Sequence, residues 1–386
     1  MHEYLLLLGQ NPELSLAEVV AVVKDVEVLG SGIAKIKLRS DIIATKLFSF
    51  LGGSIKVLKI LDSVSLSQEE QIEDKVVSLL QDLQVKDFAI AEINRDHLPT
   101  IQKGEIKKRL KELGLSTRFV DGSRHGLSAA ILIHQKNIME LAVVQVDAQI
   151  IFALTLATQD IDHWTLKDRQ KPYFDRKKGM LPPKVARMMI NIALTDWWQK
   201  QELSQDFDLS DLSIYDPFCG TGTILIEAAE MGFKIFGSDL DLDSIKGTNQ
   251  NLSWFNQFLA NKIPATIFQK DVSQVGSSDF SQKINLIVSE PYLGRQTPQA
   301  NFLPDMFKGL EKMYLGAFKK WAQILANNAS LCLIFPVVED GKKTYNMSIL
   351  IDKISKLGYT LHSEPIYYYR PQARVKRQIV LFKFNR

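Results

Sequence analysis

Acidic residues close four successive apolar stretches in the second half of the chain. They are Asp216 in "SIYDPF", Asp239 in "KIFGSDL", Asp271 in "TIFQKD" and Glu290 in "NLIVSE". Short apolar runs alternating with helical patterns predict a parallel sheet covered on both faces. Acids at the ends of such strands all face the carboxyl edge, where open α/β sheets bind ligands. The first acid opens "DPFCGTGT", in which Gly220 and Gly222 permit a tight turn and a close backbone approach to a ligand. A dinucleotide could use such a turn, but the position of its third glycine holds Leu225, and Asp216 would oppose a pyrophosphate. Asp216 instead suits a cationic group, Asp239 a pair of sugar hydroxyls and Asp271 an amino group on a flat ring. Each acid also has a plainer reading, as the cap of the helix that follows it.

The fourth acid stands in "SEPYLG", where an apolar run stops at Ser289-Glu290-Pro291-Tyr292 and Gly294 lets the chain turn away. A carboxylate, a proline and an aromatic together could grip a flat polar group. Alternatively, Ser289 and Glu290 cap the next helix while Tyr292 fills core.

The elements that must position these residues follow from periodicity. "PPKVARMMINIALTDWW" predicts a helix opened by proline. "SLCLIFPVV" predicts a further strand, and "PIYYYR" with "RQIVLFKF" a closing antiparallel hairpin. In the first third, Tyr4–Leu8, Gly32–Leu38, Ile55–Ile60 and "DFAIAEIN" predict strands, and "LSAAILIHQ" with "IMELAVVQV" a strand pair. Helices are predicted at Ser15–Val23, with Ser15 and Glu18 as a capping box, and in "EEQIEDKVVSLLQDL" and "GEIKKRLKELGL", the last closed by Gly114. That order implies two small α+β units in succession. The polar stretch from Asp160 to Gly179 has no clear period and predicts a connector.

Length and composition fit several domains with a substantial core. The chain has 386 residues, 46% hydrophobic and 24% charged, and its net charge of +3 permits a nucleic-acid partner without demanding one. Two cysteines, Cys219 and Cys332, are too few for a disulfide framework or a zinc site. No run is long enough to span a membrane, and the expected location is cytoplasmic. No metal-ligand spacing occurs, and His163 and His362 stand alone.

"DPFCGTGTILIEAA" resembles the S-adenosylmethionine-binding motif of class I methyltransferases that modify exocyclic amino groups in RNA. "KPYFDRKKGMLPPKVARMMINIAL" and the opening "YLLLLGQNPELSLAEV" resemble the THUMP-containing family that methylates guanosine-10 N2 of tRNA. The resemblance implies an α/β chain with a Rossmann-like methyltransferase domain at 181–386, built on a seven-stranded, mostly parallel sheet. Before it would lie a ferredoxin-like unit at 1–60, a THUMP RNA-binding domain at 61–160 and a linker at 161–180. Cofactor contacts would come from Asp216, Phe218, Gly220, Thr221, Gly222, Thr223, Asp239, Leu240, Asp271 and Val272.

The family's fourth-strand motif is Asp-Pro-Pro-Tyr, usually followed by Gly. Glu290 falls on its Asp, Pro291 on the first Pro, Tyr292 on the second Pro and Leu293 on the Tyr. The aromatic has moved one residue and the acid is one methylene longer. A guanine amino group is a weak nucleophile, so the site must hold its N–H groups, here with Glu290 and the Pro291 carbonyl, while Tyr292 stacks on the base. The substrate expected is therefore tRNA. The rival readings are a DNA amino-methyltransferase, or an RNA- and cofactor-binding protein whose catalysis is absent or depends on a partner protein.

Weaker signals are basic. Lys107, Lys108, Arg109 and Lys111 share a helix, with Arg118, Arg124 and His125 beyond it. Arg169, Lys171, Arg176, Lys177 and Lys178 interleave with Tyr173 and Phe174 in the connector. Arg370, Arg374, Lys376 and Arg377 follow three tyrosines near the end. Each set suits phosphate or single-stranded RNA, and each could equally be a solvated face or a charge-protected edge.

Overall fold

The computed structural model describes all residues except 31, 136, 176–179, 202–206, 261, 342, 369–371 and 386. The chain divides into two compact units. One comprises residues 1–12 and 23–163, with 203–205; the other comprises 13–22, 164–202 and 206–386.

The first unit holds β1 (His2–Leu8), β2 (Val26–Val28), β3 (Ile33–Leu38), β4 (Ser54–Ser65), β5 (Asp87–Ile93), β6 (Arg118–Phe119), β7 (Ile138–Val146) and β8 (Gln149–Thr158). They form one sheet in the order β2-β3-β1-β4-β8-β7-β5-β6. Between β1 and β2 the chain runs through α1 (Pro12–Val22), whose residues from Glu13 onward belong to the second unit. The sheet's own helices are α2 (Asp41–Phe50), α3 (Ile72–Asp82), α4 (Lys103–Glu112) and α5 (Ala129–His134). Apolar residues of α3 and α4 pack with β5, β7 and β8 around Phe88 and Phe152.

Three sequence expectations are corrected here. Pro12 starts α1 three residues before Ser15, so Ser15 and Glu18 lie buried inside the helix rather than forming its cap. Glu18 instead accepts a hydrogen bond from Asn191 Nδ2 at 2.7 Å. "LSAAILIHQ" is helical, with Ser128 Oγ accepting from Ile131 N at 3.4 Å as its N-cap. The run is too short for its period to separate helix from strand. The antiparallel partner of β7 is β8, from "QIIFALTLAT", which the sequence reading passed over.

The second unit adds α6 (Ile161–Arg169), α7 (Pro183–Ala193), α8 (Thr195–Lys200), β9 (Ser213–Asp216), α9 (Thr223–Met231), β10 (Lys234–Asp239), α10 (Leu242–Phe255), β11 (Ala265–Gln269) and β12 (Ile284–Ser289). It continues with α11 (Leu303–Ile324), β13 (Leu325–Asp340), β14 (Lys343–Tyr345), α12 (Ser348–Ser355), β15 (Tyr359–Leu361), β16 (Ile366–Tyr368) and β17 (Lys376–Phe384). The sheet runs β11-β10-β9-β12-β13-β17-β15, with β14 on β13 and β16 on β17. The five strands from β11 to β13 are parallel and β17 is antiparallel. Strand order reverses between β9 and β12, and a crevice at such a switch point is where doubly wound sheets place ligands. Residues 160–169, expected as part of a connector without period, instead hold α6, whose start Asp160 caps by accepting from His163 N at 2.9 Å.

A buried charge cluster fastens α6 and α7 to α9. Glu227 is 0% exposed and its Oε2 accepts from Lys167 Nζ at 3.0 Å and from Arg187 Nε at 2.9 Å. Glu230 shares both cations, and Lys167 Nζ lies 3.9 Å above the centre of the Trp164 ring. Removing one partner of a buried ion pair leaves a charge without compensation, at a cost of about 3–5 kcal/mol. Glu227→Ala is therefore expected to lower the unfolding free energy by about that amount, read as a lower urea midpoint at unchanged slope.

Candidate active site at the carboxyl edge of the second sheet

β9 ends at Asp216, and the chain reverses through residues 217–222 into α9. Gly220 and Gly222 adopt left-handed φ values of +52° and +79°, which cost glycine little. Cross-links from two neighbouring elements set the turn. Gly220 N donates to Asp239 Oδ2 at 2.9 Å, and Cys219 N to the Ser238 carbonyl at 3.0 Å. From α10, Thr248 Oγ1 donates to the Gly220 carbonyl at 2.7 Å and Asn251 Nδ2 to the Thr221 carbonyl at 2.9 Å. A Cβ on Gly222 would approach Thr248 Cγ2 at 3.0 Å. On Gly220 the nearest contact would be the Phe218 carbonyl at 3.9 Å, so the turn is open there.

Asn251 also ties the stretch before α7 to this turn. It exchanges two hydrogen bonds with the Tyr173 backbone, at 2.9 and 3.0 Å, and the Tyr173 ring packs where a Cβ on Gly247 would have to sit. Two residues earlier, Lys171 Nζ donates to Thr223 Oγ1 at 2.9 Å.

Asp216 is 2% exposed. Its Oδ1 accepts from Phe218 N at 3.1 Å and from the Ser289 hydroxyl at 2.6 Å. Burial pushes its carboxyl up to about 7; those two hydrogen bonds oppose the shift, and the charges of Asp239 and Glu290 add to it. Asp239 is half-buried at the end of β10, and its Oδ1 accepts from Asp241 N at 3.0 Å. Leu240 beside it is 67% exposed, whereas Phe218 packs on the core and Val272 is within it. Asp271 shows the capping geometry. It opens a short 3-10 turn and accepts from Ser273 Oγ at 2.7 Å and Ser273 N at 2.8 Å, and these bonds hold its carboxyl below the usual range.

The helix-cap and core reading of "SEPYLG" does not survive. The Ser289 hydroxyl is spent on Asp216, and Glu290 Oε1 accepts from Arg377 Nε of β17 at 2.6 Å. Tyr292 is 59% exposed, while its carbonyl accepts from the Tyr314 hydroxyl at 2.7 Å. Pro291 is buried between them. Gly294 turns the chain at φ +88°, where a Cβ would meet Met306 Sδ at 2.6 Å. Sequence reasoning did not foresee Ser289, Asn251 or the Arg377 partnership. Arg377 was visible only as one of a basic run.

Several other basic residues have acidic partners. Arg109 pairs with Asp74 at 2.7 Å, Arg118 with Asp87 at 2.9 Å and Arg374 with Asp340 at 2.7 Å. Lys108 approaches Glu105, Arg169 approaches Asp168 and Lys376 pairs with Glu339. Arg124 staples its own loop to the carbonyls of Arg95 and Leu98, both at 2.7 Å, and His125 beside it is exposed. Arg176, Lys177, Lys178 and Arg370 lie outside the described residues. Burial pushes the Cys219 and Cys332 thiols up, which suits packing rather than nucleophilic work.

The raised Asp216 carboxyl has a measurable cost. Unfolded, the group ionises near pH 4; folded, it stays protonated up to about pH 7. Stability is therefore lost as pH rises through that window, and the loss persists above it. Asp216→Asn keeps an acceptor without the ionisation. It is expected to be more stable than wild type by roughly 2–4 kcal/mol at pH 8, with the gap closing towards pH 4 in urea melts.

A protein family described as "RMKL-like, methyltransferase domain" matches residues 175–348. A tRNA (guanine(10)-N2)-dimethyltransferase from Methanothermobacter thermautotrophicus is 27% identical over 194 residues, 50% of this chain and 49% of that protein. The chain thus spans about half the length of that curated relative. Among solved structures, TrmN from Thermus thermophilus superposes with a TM-score of 0.52 at 15% identity, covering 99% of this chain and 100% of that one. A possible methylase from Clostridium difficile 630 does so with 0.51 at 12% identity, covering 100% and 98%. At such identities the likeness speaks for the fold alone, and together with the sheet order it gives the second unit its class: a Rossmann-like methyltransferase fold whose residues 175–348 match a methyltransferase domain by sequence.

Proposed function

We propose that this chain transfers a methyl group from S-adenosylmethionine to the exocyclic N2 amino group of a guanosine in tRNA. One observation carries the reading: Ser289 bonds to the buried Asp216 carboxylate, so Glu290, Pro291 and the exposed Tyr292 follow directly beside the glycine-rich turn. A site for a methyl donor and a clamp for a flat amino-bearing base are thereby neighbours.

The residues present fit the cofactor. The turn is open over Gly220, Asp216 offers a desolvated carboxylate for an ammonium, and Asp239 is half-buried at the next strand end, suited to a diol. S-adenosylmethionine supplies an electrophilic methyl on a sulfonium. The protein's part is positioning, which can contribute on the order of 7–11 kcal/mol. Arg377 takes Glu290 Oε1 and leaves Oε2 to accept from a guanine N2–H. The Pro291 carbonyl offers a second acceptor, and the exposed Tyr292 ring offers a face for the base, which must leave its stack to arrive.

We assign residues 1–60 to a ferredoxin-like unit, 61–160 to a THUMP domain that holds the RNA and 181–386 to the catalytic domain. The curated relative's name, with its guanine N2 specificity, supports tRNA over DNA. The Glu290–Arg377 pair is the one feature that favours a second reading, in which catalysis waits on a partner that releases Glu290.

Labelled methyl transfer to bulk tRNA, followed by nucleoside digestion, separates the readings. N2-methylguanosine is expected. Glu290→Ala should lower kcat by about 10²-fold with cofactor affinity unchanged, and Tyr292→Ala should raise KM for tRNA by roughly 5- to 150-fold. Cofactor binding without transfer would instead favour the partner-dependent reading, and label entering only duplex DNA would overturn the substrate.

A further inference from the structure

Several of the basic residues that stand out in the sequence are paired with acids of this chain. A set that does not stand out is left without partners. Lys308, Lys312 and Lys319 are exposed and make no ion pair or side-chain hydrogen bond among the described residues. Spacings of four and seven residues put all three on one face of α11. That face is turned away from the buried Phe307, Leu310, Tyr314 and Trp321. Of the helix's two acids, Asp305 lies in the first turn and Glu311 is bound to Lys353 of α12; beyond Glu311 the helix carries none. Gly309 and Gly316 lie three and four residues from Lys312, and so beside it on the helix surface. A Cβ on either would meet nothing of the chain within 4 Å. Glycine weakens a helix interior relative to alanine, and no neighbour within the chain requires its smallness here. Two bare positions along a row of lysines leave a flat floor on which the backbone of another molecule can lie close.

The row continues past the helix. Lys319 shares a pocket of about 390 Å³ with Gln323 and Lys356, and no acid lines it. Lys356, just after α12, is likewise exposed and makes no ion pair among the described residues. At its start α11 touches the turn after β12, since a Cβ on Gly294 would meet Met306; at its end it runs into β13, at the opposite edge of the sheet. The cations therefore lead from the flank of the candidate active site down one side of the unit, with about 16 Å of helix between Lys308 and Lys319. Such a row matches an extended, evenly charged polyanion. No large apolar side chain of α11 is exposed, so the face offers a bilayer nothing to bury. We propose that Lys308, Lys312, Lys319 and Lys356 form a track for the sugar–phosphate backbone of the substrate RNA. This deepens the proposed function and rests on it, giving the catalytic unit an RNA surface of its own. Phosphate contacts position a nucleic acid without reading its sequence, so the track supplies affinity and orientation rather than choice of base.

Fluorescence anisotropy of labelled bulk tRNA with the full-length protein, at about 50–200 mM salt, tests the track. Lys308→Gln, Lys312→Gln and Lys319→Gln combined should lower the slope of log affinity against log salt by about 2–3 and weaken binding by about 10-fold or more. The same variant should raise KM for tRNA while kcat at saturating tRNA and affinity for S-adenosylmethionine stay as in wild type. Arginine at the three positions should restore binding, because charge is what the track uses. Lys234→Gln, Lys246→Gln and Lys262→Gln combined remove the same charge elsewhere on the unit and should leave the slope unchanged. A track variant with the wild-type slope, or a control variant that loses as much, would overturn the track while leaving methyl transfer to tRNA standing. So would a track variant that keeps tRNA binding but no longer binds phosphatidylglycerol vesicles that wild type binds, which would make the face a lipid surface. Wild type that neither binds nor methylates tRNA would overturn the proposed function and the track together, a different failure from an unchanged slope.

Discussion

The hydrogen bond from Ser289 to Asp216, 2.6 Å long and fully buried, is the contact on which the site depends. It joins the ends of β9 and β12, the two strands between which the sheet order reverses. One end leads into the glycine-rich turn and the other into Glu290-Pro291-Tyr292. A buried carboxylate without acceptor-matched donors would be costly. Here a hydroxyl and a backbone amide meet it, and they fix both chain directions as they do so. The price in stability is a carboxyl still raised to about 7, because two hydrogen bonds do not replace water. Such a group, left short of charge compensation beside an open turn, is suited to receive a cation.

The segment before α7 is a second support. Read as sequence, "DRQKPYF" is a polar connector. In the fold it is a strap, with Lys171 on Thr223, Tyr173 on Asn251 and the Tyr173 ring against Gly247. Gly247 lies in the middle of α10, where glycine costs about 1 kcal/mol relative to alanine. Its reason is space for the ring, since any Cβ would occupy it. The strap, the turn and α10 are thus fixed together before any ligand arrives, and a preformed site loses less on binding than one that must be assembled.

What the sequence made legible follows its periodicities. The five parallel strands, the turn and the closing hairpin were each marked by short apolar runs with glycine, proline or acid at the boundary. Where the signal was short, it misled. Six residues of "AAILIH" fit a strand as well as a helix, and only the Ser128 cap separates them. Pro12 outweighed the capping-box pattern at Ser15 because its fixed φ suits the first helical position and its missing N–H costs no hydrogen bond there. Asp271 could be read as ligand or cap from its type, and the geometry gives the cap. The partners of Glu290 and Asp216 lie 87 and 73 residues away in sequence. No local pattern reports a pair at such separation; only the register of β12 between β9 and β13, and of β13 on β17, brings them together.

That register also brings Glu290 a restraint from outside its own turn. Glutamate carries one more rotatable bond than aspartate, and an unrestrained carboxylate at this position would sample several directions. Arg377, on the strand that pairs with β13, takes one oxygen and so removes that freedom. The guanidinium is itself braced, lying about one ring's reach from Tyr368 of the adjoining β16, 6.0 Å from its centre. Glu290 and Arg377 are therefore one device. The carboxylate is thereby held from β17 as well as from its own turn. The same logic frees the aromatic: once the acid is held from outside the motif, the turn need only anchor its own backbone. It does so through the Tyr292 carbonyl on Tyr314, which leaves the tyrosine side chain at the surface.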